Sequence, residues 1–283
     1  MCASPARRAR RWILLILLAA LIAAVHGAGR MDPQTLEEMS LDGFDAWVKT
    51  SIGNYESDLL AAARRHSIPP SLLATVILNE LGNYDLVDQG QELVFSRGSV
   101  GIAQITIPTA IDNKLVDLSE DEIEKWQERF AERHGAGALG NPAGPIPRTG
   151  LLRQAIEHLV WEKLNEPTIA IEAAARQIRL LIKRINANLD KPWPRTYLTG
   201  AIDLSHPYAN IVPGQAGLAD PHALQREREM QMARLIVGGY NSPKLIRTSV
   251  DLSNPGYYAR ARRHADNAAR LIAERLVRLG WYP

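Results

Sequence analysis

The chain has 283 residues, of which 46% are apolar, and a formal net charge of +2. This length and apolar fraction suffice for a packed core and exclude a disordered chain. The first 29 residues contain four arginines and no acidic residue, so the remainder carries 29 basic against 31 acidic side chains. That balance gives no support for nucleic-acid binding.

Residues 1–29 are predicted to be a signal peptide or an N-terminal membrane anchor. The four arginines precede an uninterrupted apolar run from Trp12 to Val25, as in export signals. This run of fourteen residues is shorter than the roughly 20 that a membrane-spanning helix needs, which favours a cleaved signal. Attachment to the inner membrane through residues 12–25 is the alternative, and both predict export to the periplasm. Cys2 is the sole cysteine, so the exported part must be stable without disulfides.

The next elements are predicted to be helices that end at proline or glycine. Residues 30–54 are interpreted as a linker with a short helix at 41–50. A helix from about residue 57 ends before the sequence Ile68-Pro69-Pro70, because proline disfavours helix in the residue before it. The following helix begins at Pro70 and ends near Gly82-Asn83, two residues suited to a C-terminal cap.

The rest of the chain also predicts a mainly α fold. Residues 84–101 contain three glycines and no helical stripe, which predicts a loop or a small hairpin, the only β structure expected. Helices are expected over 151–164, over 167–189 with Pro167 in the first turn, and over 257–279. Residues 141–150 and 190–194 are rich in helix-breaking residues, and we expect them to form surface excursions.

Glu80 stands out because it lies on an apolar helix face. Its spacing from Leu73, Val76 and Ile77 places all four side chains on one side of the helix. An ionised carboxylate is disfavoured there, and burial raises the pKa of a carboxyl group, which suits a proton donor. Periodicity alone favours a structural interpretation, in which Glu80 reaches solvent or pairs with a core arginine.

Four sequence blocks resemble the soluble lytic transglycosylase family. They are AAARRHSIPPSLLATVILNE, ending at Glu80; GSVGIAQI at 98–105, followed by IPTA; NEPTIAIEAAARQIRLL at 165–181; and VGGYNSP at 237–243. The resemblance implies a lysozyme-like, goose-type helical domain over residues 55–283, with a small β-hairpin near the active site. Insertions are expected near 112–150 and 190–225. Leu81 departs from the family, which usually has serine after the glutamate.

The same resemblance implies a peptidoglycan-cleaving enzyme of the cell wall. Its substrate is the glycan strand, cut at the β-1,4 bond between N-acetylmuramic acid and N-acetylglucosamine. Glu80 is the implied catalytic residue, first as acid and then as base, and the product carries a 1,6-anhydro ring. No metal or cofactor is expected. The implied substrate-binding residues are Gln104, Tyr240, Gly98, Ser99, Gly101 and Asn241.

Two other functions remain open at this point. A lysozyme-like muramidase would need a second carboxylate, for which Asp85 or Asp88 is near enough in sequence. A non-catalytic glycan-binding scaffold of an envelope machine is the second alternative. His158 and Glu162 have the spacing of a metal pair but lack a third ligand, so no metal site is predicted. Trp47, Trp126, Trp161 and Trp193 could stack on sugars, although most are expected in the core.

Overall fold

The computed structural model describes residues 33–83, 99–134, 148–215, 218–241 and 255–281. These residues form a mainly helical fold, as predicted. Two strands, β1 (Ser99–Val100) and β2 (Ile105–Thr106), pair antiparallel with Ser99 opposite Thr106. The helices are α1 (Pro33–Glu38), α2 (Leu41–Ile52), α3 (Glu56–His66), α4 (Pro70–Asn83), α5 (Ile107–Asp112), α6 (Glu120–His134), α7 (Arg148–Leu164), α8 (Pro167–Asn186), α9 (Pro192–Tyr197), α10 (Pro221–Asn241), α11 (Pro255–Asn267) and α12 (Glu274–Arg278).

Helix α4 is the central helix of the fold. Its residues 72–80 are all buried, and α2, α3, α8, α10 and the C-terminal helical segment pack around it. A helix that is apolar on all sides must be covered on all sides, and the stretch LLATVIL meets that condition. The helix begins at Pro70 and ends at Asn83, which confirms both predicted ends. Glu80 therefore lies at the end of the most enclosed segment.

The turn between α3 and α4 is held by α8. Helix α3 ends at His66 and is followed by its C-cap residue Ser67, which adopts a left-handed conformation with φ of 53°. The carboxylate of Glu172 binds His66 and Arg65, each at 2.6 Å, and Arg179 donates a hydrogen bond to the carbonyl of His66 at 2.6 Å. These contacts fix the direction in which α4 enters the core.

Residues 41–52 belong to the core, which revises the predicted linker. The predicted helix is present as α2, but its side chains Phe44, Trp47, Val48 and Ile52 are buried in the main hydrophobic cluster. These residues recur at spacings of three and four, so they form one apolar stripe. The isolated aromatic residues, interpreted as linker, are the contacts that join this segment to the domain.

The segment 190–194 is likewise not a simple surface excursion. Pro192 occupies the first turn of α9, where a missing backbone donor has no cost, so the proline-rich sequence starts a helix. Trp193 is 2% exposed and donates its indole N–H to the carbonyl of Leu235 at 3.2 Å. Gly238 faces the Trp193 ring, and a Cβ at this position would overlap the ring. The tryptophan thus anchors α9 on α10.

The C-terminal helical segment runs over the predicted range with one irregularity. Residues Ala268–Ala273 form a wide π-helical turn between α11 and α12. A short 3₁₀ turn, Gly53–Tyr55, also links α2 to α3.

Some predictions fall on residues outside the described ranges. These include the predicted signal or anchor at 1–29, residues 84–98 of the loop predicted at 84–101, and residues 141–147. Within the described ranges, none of the helices has both the length and the apolar character that crossing a bilayer requires.

Candidate functional site

Glu80 is one of two buried glutamates among the described residues. It is 8% exposed, and its predicted neighbours Leu73, Val76 and Ile77 are fully buried. The periodicity argument therefore placed the carboxyl on the correct face. The Glu80 side chain does not extend into solvent, so the interpretation that it is solvent-exposed is wrong.

Two asparagine amides donate hydrogen bonds to the Glu80 carboxyl. Asn241 Nδ2, at the last residue of α10, lies 2.9 Å from Glu80 Oε1, and Asn79 Nδ2 lies 3.1 Å from the same oxygen. Asn241 Nδ2 also lies 3.2 Å from the carbonyl of Val237, one turn earlier in α10. The side chain thus both caps its own helix and fixes the carboxyl of a residue 161 positions away.

Tyr240 connects α10 to the hairpin. Its hydroxyl donates to the carbonyl of Ala103 at 3.1 Å, in the turn between β1 and β2. Burial, followed by the negative charge of Glu80, raises the pKa of the Tyr240 phenol. The phenol therefore stays protonated as a donor and lies close enough to Glu80 to sense its charge. The hairpin, α10 and the end of α4 meet at one place.

The hairpin turn contains Gly101 and Gln104. Gly101 has φ of +69°, and a Cβ on it would overlap the carbonyl oxygen of Leu164 at the end of α7. Gln104 has φ of +49°, and both its backbone N–H and its Nε2 donate to the carbonyl of Gly101, at 3.1 and 2.8 Å. Gly101 therefore has a structural reason to be glycine. A sugar contact by Gln104 would use its carbonyl oxygen or its second amide hydrogen.

The structure brings together some of the predicted site residues and does not describe others. Ser99 is half-buried on β1, in the same hairpin as Gln104. Gly98 lies outside the described residues, and so do Asp85 and Asp88, the candidate second carboxylates. Glu80, Tyr240 and Asn241 are linked directly, whereas Gln104 and Ser99 join them through the hairpin.

Opposing influences act on the charge of Glu80. Burial disfavours the ionised carboxylate, whereas hydrogen bonds from the two amides stabilise it.

If Glu80 acts as an acid catalyst, as the sequence resemblance implies, Asn241→Ala is expected to shift the pH dependence of that activity upward. Removing a donor at 2.9 Å destabilises the carboxylate, which raises the pKa of Glu80. An acid catalyst loses activity as the pH rises through its pKa, so the descending limb of kcat/KM moves to higher pH. The maximal rate is expected to fall about tenfold, because the carboxyl is less well oriented. Profiles of kcat/KM against pH for both proteins test this, and a descending limb at the same pH as in the wild type would contradict it.

Leu81 packs against the core. Its side chain is half-buried and contacts the main hydrophobic cluster. We therefore expect Leu81→Ser to cost about 1–2 kcal/mol of folding stability, the range of a partly buried large-to-small change. If Glu80 is an acid catalyst, the pH profile of its activity is expected to stay unchanged. A lowered pKa of Glu80, with Tm unaffected, would instead show that the Leu81 side chain keeps water away from the Glu80 carboxyl.

Sequence reasoning missed two polar features. Asn79 is buried next to Glu80 and donates a hydrogen bond to its carboxyl group. The only signal for this contact in the sequence was that the two residues are adjacent. Glu227 on α10 is the second buried glutamate, 6% exposed, and accepts hydrogen bonds from the backbone N–H of Gly214 at 3.1 Å and from Gln231 at 2.9 Å. Its i,i+4 spacing from Gln231 was the available signal.

A cavity of about 530 Å³ borders Glu227 at some distance in the fold from the hairpin. Its lining includes Gln215, Arg226, Glu227, Glu274 and Arg278. Glu227 here holds the 211–215 loop onto α10 through Gly214, which accounts for its burial. Cavity size alone does not assign a function to a carboxyl group, so Glu227 serves as the natural comparison for Glu80.

Two of the candidate tryptophans are core residues, and the candidate metal pair on α7 is a side-chain pair. Trp47 and Trp193 are buried, so they cannot stack on a ligand. His158 Nε2 lies 3.1 Å from Glu162 Oε1, as an exposed pair on α7. Across the residues that the structure describes, His, Cys, Asp and Glu side chains form no group of three able to hold a metal ion.

Comparisons of the chain with models of known protein families, with curated proteins and with solved structures find no match.

Proposed function

We propose that this chain is a lytic transglycosylase that cleaves peptidoglycan glycan strands. The observation that carries the proposal is the buried Glu80 carboxyl, which Asn241 holds from α10 at 2.9 Å beside the β1–β2 hairpin. Glu80, the hairpin residues Gly101 and Gln104, and Asn241 all lie in the four sequence blocks that resemble the family. A central buried helix that carries the carboxyl in its last turn, with a small hairpin nearby, also supports a lysozyme-like fold.

The proposed reaction needs a single carboxyl group. Glu80 first donates its proton to the oxygen that leaves C1 of N-acetylmuramic acid, and the C1–O bond breaks through an oxocarbenium-like state. The Glu80 carboxylate then accepts the proton of the C6 hydroxyl of the same sugar while that oxygen bonds to C1. The products are a 1,6-anhydro ring and a free hydroxyl on N-acetylglucosamine, and no water is consumed.

The neighbouring residues have supporting roles in this proposal. Asn241 and Asn79 orient the carboxyl and stabilise it after the proton has left. Tyr240 holds the hairpin turn in place through its hydrogen bond to Ala103. In this proposal Gln104 and Ser99 therefore contact the glycan strand from a fixed position. The protein would act on the cell wall after export to the periplasm, either released or anchored through residues 12–25.

Release of soluble fragments from purified sacculi tests the proposal. Residues 30–283 are expected to solubilise peptidoglycan without added metal or cofactor. Sacculi that remain insoluble with folded protein would contradict it and favour the non-catalytic scaffold.

A further inference from the structure

Helices α6 and α7 carry a row of four aromatic rings, which we call the aromatic row. Trp126 stacks on Phe130 with ring centroids 5.2 Å apart, and it contacts His158 at 5.7 Å. His158 in turn stacks on Trp161 at 6.0 Å, with the planes 22° apart. The row thus crosses from one helix to the next without interruption.

The side chains of the aromatic row are partly exposed to solvent. The side chains of Trp126, Phe130 and Trp161 are half-buried, and that of His158 is 45% exposed. Over residues 120–132, which the structure describes in full, α6 has no fully buried residue. Its apolar stripe therefore contributes little to the core, in contrast to Trp47 and Trp193. Large aromatic rings that remain accessible are typical of recognition surfaces.

The row lies close to the candidate site. Helix α7 continues from Trp161 to Leu164, a rise of about 4.5 Å along the axis. The carbonyl oxygen of Leu164 is the atom against which Gly101 of the hairpin turn packs. The aromatic row therefore begins about one helical turn from the residue of α7 that contacts the hairpin turn.

The net charge of α6 favours a glycan over an anionic lipid surface as the ligand of the aromatic row. Helix α6 carries six acidic and three basic side chains, so it repels an anionic lipid surface. The apolar faces of sugar rings have no such conflict with aromatic rings, and the Glu162 carboxylate beside His158 can accept hydrogen bonds from hydroxyl or amide groups. Aromatic faces with a few adjacent polar groups form an amphipathic surface that suits a glycan.

We infer that the aromatic row is an accessory binding site for a β-1,4-linked strand of N-acetylated amino sugars. The inference rests on the proposed function for the class of ligand. The site holds the strand without reacting with it, outside the region around Glu80. It lengthens the contact between enzyme and glycan, which lowers the rate of release.

Binding is tested with the full chain carrying Glu80→Gln, so that cleavage does not remove the ligand. The probes are purified sacculi, in a cosedimentation assay, and a soluble β-1,4-linked N-acetylglucosamine oligomer. Trp126→Ala in this background is expected to weaken binding about tenfold, and Trp126→Phe to restore most of it. Leu152→Ala is the matched control, because Leu152 is an exposed apolar residue of α7, 43% exposed, that is not part of the row. If Trp126→Ala fails to fold, His158→Ala takes its place, since that ring is exposed.

Unchanged binding by folded Trp126→Ala would overturn the inference, and so would absence of binding by the Glu80→Gln parent. Self-association that Trp126→Ala abolishes, without an effect on glycan binding, would assign the row to a second copy and also overturn it. Failure of the proposed function gives a different result. The protein with native Glu80 would then leave sacculi uncleaved while Trp126-dependent glycan binding persisted.

Discussion

Replacing Glu80 by glutamine is expected to lower glycan cleavage at least about a hundredfold, the lower end of what a general acid contributes. The amide has nearly the same shape but cannot supply the proton. The fold is expected to stay intact, because the glutamine carbonyl can take the place of Glu80 Oε1 and accept from Asn241 and Asn79. Fragment release from sacculi and the melting temperature of both proteins check the two parts of this prediction.

Glu227→Gln is the matched control for this substitution. Glu227 is equally buried and also accepts from an amide, that of Gln231 at 2.9 Å, but its contacts fix a loop onto α10. Cleavage by this variant is expected to equal that of the wild type. If Glu227→Gln loses activity and Glu80→Gln keeps it, the reactive carboxyl lies at the other end of α10.

Replacing Gly101 by alanine is expected to cost about 2–5 kcal/mol of folding stability. A left-handed backbone costs an L-residue about 1–2 kcal/mol, and overpacking of a tight contact about 1–3 kcal/mol. Both costs apply here, since Gly101 has φ of +69° and its missing side chain faces a backbone carbonyl that cannot rotate away. Urea unfolding measures the change.

Gly53→Ala is the control for the glycine substitution. Gly53 has φ of −59°, and the nearest atom to an added Cβ is the Cβ of Lys49 at an ordinary 3.7 Å. Its replacement is expected to be neutral or slightly stabilising. Equal unfolding midpoints for Gly101→Ala and the wild type would show that the hairpin turn is not held against α7.

The sequence was most informative where local signals agreed. Prolines and cap residues predicted both ends of α4, and three-and-four spacing placed Glu80 among buried side chains. These features depend on neighbours within one or two helical turns, so they can be read without the fold. The mainly α class follows from the same periodicity.

Contacts between distant segments could not be derived from local patterns. The hydrogen bond from Asn241 to Glu80 and the packing of Gly101 on Leu164 depend on the path of the chain. The motif resemblance suggested that the Tyr240–Asn241 pair mattered, but not which atoms it would contact. The burial of segments 41–52 and 190–197 was underestimated for a related reason. Scattered aromatic residues beside glycine and proline suggest an exposed segment until the partner surface is known.

Mass spectrometry of the fragments that residues 30–283 release from purified sacculi tests the central claim most directly. The account predicts muropeptides with 1,6-anhydro-N-acetylmuramic ends, 18 mass units lighter than hydrolysed ends by the mass of one water, and their absence with Glu80→Gln. Fragments with reducing N-acetylmuramic ends would contradict the single-carboxyl mechanism and indicate a hydrolase with a second carboxylate.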